Sequence, residues 1–263
     1  MTQAVPITFK LRARDSWFGL LSALSIVGLW LGGLVLNLSV IPWSEVWVWA
    51  PLAVVAQTFL YTGLFITAHD AMHGVVCHRH PRLNRWIGVF AVTGYALFSF
   101  KRLKARHWEH HDHAGTPLDP DFHDEAHPGF VRWYLRFLSH YVSLWQIVGM
   151  AIVFNILLHG VGIEHWKLLV FWVLPSIAST FQLFYFGTYR THKKEPGAAF
   201  PDAHHARSND YPAWLSFMTC YHFGYHWEHH EYPHCPWWRL PFVRGQSKSD
   251  QGKNEILSAD TLS

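Results

Sequence analysis

Four long segments without a charged residue constrain the fold of this chain more than any other feature. They cover residues 17–40, 46–68, 141–158 and 168–189. A helix of about 20 mostly apolar residues is long enough to cross about 30 Å of hydrocarbon. Core helices of a water-soluble domain normally keep a polar stripe, which these segments lack. Charged residues make up only 15% of the chain, against about 25% in soluble domains. The sequence therefore predicts an all-α integral membrane protein with four transmembrane helices.

A fifth apolar segment, residues 86–100, is too short to cross the membrane upright. Its uncharged residues would extend about 22 Å as a helix, at about 1.5 Å per residue, so we expect a re-entrant or interfacial segment. Residues 129–139 also have the pattern of an interfacial helix. The aromatic residues that fall on one side of that helix are Phe130, Trp133, Tyr134 and Phe137.

The distribution of positive charge predicts the orientation in the membrane. Lys10, Arg12 and Arg14 precede the first predicted span, and further Lys and Arg residues cluster at 79–106 and 190–194. The connections on the other side carry little positive charge. Because cytoplasmic loops are enriched in Lys and Arg, we expect both termini in the cytoplasm.

The net charge and the cysteines of the chain limit the kinds of binding site that it can contain. The net charge is +3, and no basic run in the sequence is long enough to bind nucleic acid. The three cysteines, at positions 77, 220 and 235, have no CxxC spacing, so neither a disulfide framework nor a thiolate metal site is indicated. We expect a single membrane domain over residues 1–243 and a disordered polar tail over 244–263.

All 21 histidines lie at or after residue 69, and eight of them form three motifs. HDAMH occupies 69–73, and the string HWEHH occurs twice, at 107–111 and 226–230. Side chains at i, i+3 and i+4 share one face of a helix, so each motif presents two or three imidazoles together. If residues 86–100 do not cross the membrane, all three motifs lie at the same membrane face, in a cytoplasmic helical cap.

These motifs predict a metal centre with two ions. Imidazole binds Fe, Zn, Cu and Ni, but eight histidines are too many for one ion. A structural zinc takes four ligands, whereas eight to ten imidazoles shared by two ions leave room for oxygen, which favours a pair of irons. The predicted ligands are His69, His73, His107, His110, His111, His226, His229 and His230, with His204 and His222 completing the set and His192 less certain.

Several acidic residues stand next to these histidines. Asp70, Glu109 and Glu228 lie between predicted ligands and point off the metal-facing side, where they can accept imidazole N–H groups. Asp119 and Asp121 have either the same role or the role of shaping a turn. The string HEYPH at 230–234 matches the zinc-protease motif HExxH, but that motif needs a continuous helix, which Pro233 interrupts.

The three histidine motifs on a four-span core resemble those of the membrane-bound di-iron family of fatty acid desaturases, alkane hydroxylases and carotenoid oxygenating enzymes. The strings around them are similar to those of the bacterial and cyanobacterial β-carotene ketolases. These strings are HDAMHG at 69–74, GTPLDPDF at 115–122, HARS at 205–208, HFGYH at 222–226 and PWWRLP at 236–241. The resemblance covers about residues 60–241. Because members of that group often carry Asn at the position of His205, we do not predict His205 as a ligand.

This resemblance implies an O2-dependent non-haem di-iron oxidoreductase. The implied reaction places a keto group at carbon 4 (and 4') of the β-ionone rings of β-carotene, through two successive hydroxylations. The resemblance also implies a bacterial inner or cyanobacterial membrane, from which the carotenoid would enter. An external donor, of the ferredoxin type, would supply electrons. A fatty acid desaturase or alkane hydroxylase would share the metal centre but bind a flexible chain. A metal transporter is disfavoured, since it would place ionisable residues inside the spans.

Overall fold

The computed structural model describes residues 9–40, 43–123, 128–194, 200 and 202–247. Its described part is helical, and the strand-like contact found there is an isolated bridge between Ser208 and Tyr225. From the start of the chain through the second histidine motif, the helices are α1 (Ala13–Val35), α2 (Trp43–Met72), α3 (Pro81–Ala96) and α4 (Phe100–His113). They are followed by α5 (Phe130–Tyr141), α6 (Leu144–Asn155), α7 (His165–Leu168), α8 (Leu174–Leu183), α9 (Arg190–His192), α10 (Ala213–Cys220), α11 (His226–Glu231) and α12 (240–247). Short π-helical turns follow α1, α6, α7 and α8.

Four helical stretches are long and apolar enough to cross a membrane, which confirms the predicted number. They are Ala13–Ser39, Val48–Met72, Leu144–Val161 and His165–His192. Large apolar side chains cover their outer surfaces, for example Leu21, which is 61% exposed, and Val55, which is 67% exposed. An apolar surface of this extent is stable in lipid rather than in water. The protein is therefore an integral membrane protein.

The short segment appears as α3, whose 16 residues extend about 24 Å as a helix. Pro81 occupies the first turn, where its missing N–H costs nothing. The helix ends at Ala96, and the next residue, Leu97, adopts the left-handed conformation with φ of 56°. The helix α4 begins at Phe100. Gly88 allows the ring of Phe100 to pack directly against α3, because a Cβ atom there would overlap that ring. This segment is not among the four stretches that are long and apolar enough to cross a membrane, as expected from its length.

The helix α5 confirms a helix in the segment predicted to be interfacial, and its aromatic side packs against the protein. Trp133 and Tyr134 are buried, and they form an aromatic cluster with Phe122 and Phe184. Phe130 and Phe137 pack against the same cluster, so the aromatic side of α5 covers the end of the fourth span.

At the other end of the chain, α12 includes 244–247; residues 248–263, most of the predicted tail, lie outside the described residues.

Because α3 does not cross, its two ends are expected to lie near one membrane face. Single cysteines introduced at the exposed residues Arg85 and Lys104 should react with an impermeant thiol reagent from the same side of sealed vesicles. A cysteine at Ser39, the exposed last residue of the first span, should react from the other side. Reaction of the first two positions from opposite sides would contradict this topology.

Candidate metal centre

The three histidine motifs meet at one end of the helical bundle. The first motif lies at the end of α2, the second in the last two turns of α4, and the third forms α11. The end of the fourth span, α9, adds His192 to the same region. Helical spacing within each motif and the return of the chain along α3 together bring these imidazoles into contact.

One group consists of His69, His73, His107 and His229, whose ligand nitrogens all lie within 4.8 Å of one another. All four are buried. His111 joins this group, since its Nε2 atom is 2.9 Å from that of His229 and 3.2 Å from that of His107. We call these five residues the first histidine group.

The second histidine group consists of His110, His192, His226 and His230, which are all buried. The Nε2 atom of His230 is 3.1 Å from those of His110 and His226. His192 donates its Nδ1–H to the backbone oxygen of His205 over 2.8 Å. Its Nε2 atom is buried and has no hydrogen-bond partner among the described residues, so it is free to coordinate an ion.

The geometry of both groups fits metal binding better than hydrogen bonding among histidines. Two nitrogens that bind one ion at about 2.1 Å and at right angles lie about 3.0 Å apart. The neighbouring Nε2 atoms are 2.6 to 3.2 Å apart. A single Nε2 atom has either one hydrogen or one lone pair. The Nε2 atoms of His107, His111 and His229 each contact two others, and one shared ion satisfies all their lone pairs.

The protonation states of His107, His111 and His229, in the first histidine group, agree with this interpretation. Burial, together with neighbouring histidines, lowers the pKa of His111 to about 2 and holds the pKa values of His107 and His229 well below 6.5. These imidazoles are therefore neutral, and neutral imidazole is the form that donates a lone pair to a metal ion.

Asp119 orients His110, as predicted for an acidic neighbour of a ligand. Its carboxylate accepts the Nδ1–H of His110 over 2.9 Å, which leaves Nε2 directed at the second group. The backbone N–H groups of Gly115 and Asp121 also donate to this carboxylate, so Asp119 shapes the turn as well. Burial disfavours the charged imidazole, but the carboxylates of Asp119 and Asp121 outweigh it and raise the pKa of His110 to about 9.

The other acidic residues have different partners. Asp70 lies 3.4 Å from Nδ1 of His69, a long contact, and accepts the backbone N–H of Trp237. Asp121 accepts the hydroxyl of Tyr141 and stands 4.0 Å from Nδ1 of His110. These two remain next to ligands, although Asp121 makes no hydrogen bond to His110 at that distance.

Glu109 and Glu228 do not hold imidazoles among the described residues, which corrects the prediction for both. Glu109 lies on the exposed side of α4 and pairs with Arg106 over 2.7 Å. Glu228 is fully buried on the side of α11 away from the histidines, where it pairs with Arg244 over 2.8 Å and accepts the hydroxyl of Ser208. Glu228 thus ties α12 to α11.

His222 and His204 lie outside both histidine groups. The prediction for His222 assumed one helix through 222–226, but α10 ends at Cys220 and α11 begins at His226. His222 has a φ of 63°, and its ring packs near Phe217, Tyr225 and Trp237. The Nε2 atom of His204 is instead 2.9 Å from a carboxylate oxygen of Glu231, at a partly exposed position.

The zinc-protease interpretation fails for the reason given by the sequence. The helix α11 ends at Glu231, before Pro233. His234 turns away from the helix, and its Nδ1 atom lies 3.3 Å from the backbone oxygen of His73. The two histidines of HEYPH therefore do not share one helical face.

A cavity lined mainly by apolar side chains, here called the inner cavity, adjoins both histidine groups. Four predicted ligands line its end: His69, His107, His110 and His226. Its other walls come from α2, α3, α5, α8 and the turn before α11, with Phe65, Tyr95, Phe137, Leu183 and Phe223. The sequence did not indicate these residues, because their helices are far apart along the chain. An apolar molecule in this cavity would contact residues of both histidine groups.

Comparison with known proteins identifies the family. The sequence profile of the fatty acid desaturase family matches residues 44–144 and 141–256. The β-carotene ketolase of Paracoccus sp. (strain PC1) is 45% identical over 197 residues, which are 74% of this chain and 79% of that protein. The chain belongs to the fatty acid desaturase family, in its β-carotene ketolase branch. This confirms the resemblance seen in the sequence.

Two algal members of this branch are longer than the part they share with this chain. The β-carotene 4-ketolase of Protosiphon botryoides is 45% identical over 203 residues, which are 75% of this chain and 52% of that protein. The zeaxanthin 4-ketolase of Chlamydomonas reinhardtii is 41% identical over 243 residues, 88% of this chain and 54% of that protein. The chain thus spans about half the length of these family members.

Proposed function

We propose that this protein is an O2-dependent oxygenase that introduces a keto group at carbon 4, and at carbon 4', of the rings of β-carotene. The observation that carries this proposal is the inner cavity, an apolar space that ends at both histidine groups. The names of the related proteins support the substrate class and the position of oxidation. The alternatives within the family are a fatty acid desaturase and an alkane hydroxylase.

The proposal includes one iron ion in each histidine group. The first group offers five imidazole nitrogens and the second offers four, and such nitrogen sets leave coordination positions for oxygen. A pair of reduced iron ions, when bound, supplies the activation of O2 for oxidation of a C–H bond. Asp119 holds the Nε2 atom of His110 toward its ion, and the backbone oxygen of His205 does the same for His192.

The apolar walls have the task of positioning and of excluding water. Phe65 and Phe223 stand beside His69 at the end of the inner cavity, where they can hold a ring with carbon 4 next to the ions. Each hydroxylation transfers one oxygen atom of O2 into a C–H bond, and the other leaves as water with two electrons and two protons from outside. Two such steps at one carbon give a geminal diol, which loses water to become the ketone.

The electron donor is proposed to be a ferredoxin-type protein, an acidic partner. Residues 79–106 contain seven Lys or Arg residues and no Asp or Glu, and this basic segment leads directly into the second histidine motif. A basic surface beside the metal centre favours the approach of an acidic donor. Because cytoplasmic loops carry such charges, we propose that the metal centre and both termini face the cytoplasm.

Expression in cells that accumulate β-carotene tests the proposed reaction. We expect mono- and diketo carotenoids in the pigment extract, preceded by a hydroxylated intermediate at carbon 4 that is later consumed. The same cells with a His229→Ala variant serve as the control and should retain β-carotene. A change only in fatty acids, or hydroxylation that stops at carbon 3, would contradict the ketolase assignment and leave the metal centre standing.

A further inference from the structure

A second cavity, here called the outer cleft, lies next to the inner cavity. Its own walls come from the end of α3, the start of α4 and the start of α6: Leu97, Ser99, Arg102, Ser143, Trp145 and Gln146. Three further side chains, Phe98, Leu103 and Tyr141, line both cavities. These three side chains form a wall shared by the outer cleft and the inner cavity.

The outer cleft opens at the edge of the membrane. Leu144 and Trp145 are the first residues of the third span, and they are 71% and 82% exposed. On the opposite side of the mouth lies the turn between α3, which ends at Ala96, and α4, which begins at Phe100. Exposed Trp and Leu side chains at the end of a span are typical of the interface between hydrocarbon and headgroups. A molecule dissolved in the bilayer can therefore reach this mouth by lateral diffusion.

Hydrogen bonds from three side chains connect the walls of the outer cleft. Gln146 donates its side-chain N–H to the backbone oxygen of Ala96 over 2.7 Å. Arg102 donates to the backbone oxygen of His140 over 3.3 Å. Tyr141, in the shared wall, donates its hydroxyl to Asp121. Because side chains make these hydrogen bonds, rotation about side-chain torsions can break them. The helices on either side then stay intact.

We propose that the outer cleft is the path by which a rigid apolar polyene with a cyclic end group enters from the bilayer and by which its oxidised product leaves. Phe98, Leu103 and Tyr141 move apart to admit the ring. The inference rests on the function proposed above, which requires an apolar substrate to reach the histidines. The polar rim formed by Ser99, Arg102 and Gln146 offers hydrogen bonds to a product that carries a carbonyl group.

Site-directed thiol labelling tests this path. Leu97→Cys places a thiol in the mouth of the outer cleft, and Ser25→Cys places one in an apolar groove between α1 and α2. Both positions are exposed, whereas Cys77, Cys220 and Cys235 are buried. Each variant is assayed in nanodiscs with β-carotene, O2 and reductant, before and after reaction with a bulky maleimide, and its iron content is measured. In parallel, the rate of labelling is measured with and without β-carotene.

We expect the bulky label at Leu97→Cys to slow ketone formation at least tenfold relative to the same unlabelled variant, with unchanged iron content. We also expect β-carotene to slow labelling at Leu97→Cys but not at Ser25→Cys. Unchanged turnover after labelling at Leu97→Cys, or loss of turnover after labelling at Ser25→Cys, would overturn the proposal. Protection from labelling needs no turnover, so it tests the path even if the unlabelled protein forms no ketone, which would instead overturn the proposed function.

Discussion

The variants His229→Ala and His110→Ala are each expected to abolish oxygenase activity. His229 contacts both His69 and His111 in the first histidine group, and His110 contacts His230 in the second. Removal of a residue that only orients a ligand typically costs about 10- to 100-fold in metal affinity or activity. Loss of a ligand itself should therefore reduce turnover by about 100-fold or more. Turnover with β-carotene and iron content per chain are the measurements.

The iron content separates a local effect from unfolding. We expect each variant to lose at least one of two ions while it remains soluble in detergent with an unchanged helical circular dichroism spectrum. His159→Ala is the matched control, since His159 is exposed at the other end of the third span and should retain both ions and activity. Full activity in His229→Ala or His110→Ala would mean that the histidine groups are not the metal centre.

The second large effect is expected for His192→Ala and not for His204→Ala. His192 is buried, and its free Nε2 atom belongs to the second histidine group. His204 makes a contact with Glu231 at the edge of the site. We therefore expect His192→Ala to lose iron and, like the other ligand variants, to reduce turnover by about 100-fold or more. His204→Ala should retain both ions, as measured by iron content and by ketone formation.

His222 provides a further comparison within the same experiment. His222→Asn is the suitable change, because asparagine tolerates the left-handed backbone found at that residue. We expect this variant to keep both ions, since its ring lies outside both histidine groups. Loss of iron from His222→Asn together with its retention in His192→Ala would reverse the assignment and favour the ligand set predicted from sequence.

The sequence predicted the membrane helices because lipid requires a length and an absence of charge that can be counted along the chain. It also predicted that the three motifs meet, since the short α3 segment cannot cross. These inferences depend on properties of single segments and on whether the number of membrane crossings between two motifs is odd or even. They need no knowledge of how the helices pack.

The choice between His192 and His222 depended on packing and local backbone. Spacing placed His222 four residues before His226, on the assumption of one helix. The chain instead turns through left-handed residues at Tyr221 and His222. His192 had no motif around it, but it ends the fourth span, and that position carries it to the site. The sequence did not indicate the partner of Glu228 either, because Arg244 contacts it only when α12 folds back against α11.

The two possible roles of Asp119 were left open by the sequence for a similar reason. An acidic residue in a Pro- and Gly-containing loop can accept backbone N–H groups or reach a distant side chain. The structure assigns both kinds of contact to this one carboxylate. Only the position of α4 relative to the loop brings Nδ1 of His110 within reach.

Metal analysis of the purified, iron-replete protein tests the central claim most directly. The two histidine groups, with five and four imidazole nitrogens, predict close to two iron ions per chain. The measurement is elemental analysis by mass spectrometry against a protein concentration obtained from amino-acid analysis. His159→Ala should give the same value, and His110→Ala a lower one. A single tightly held zinc ion, with no second site filled under iron-replete conditions, would contradict the account.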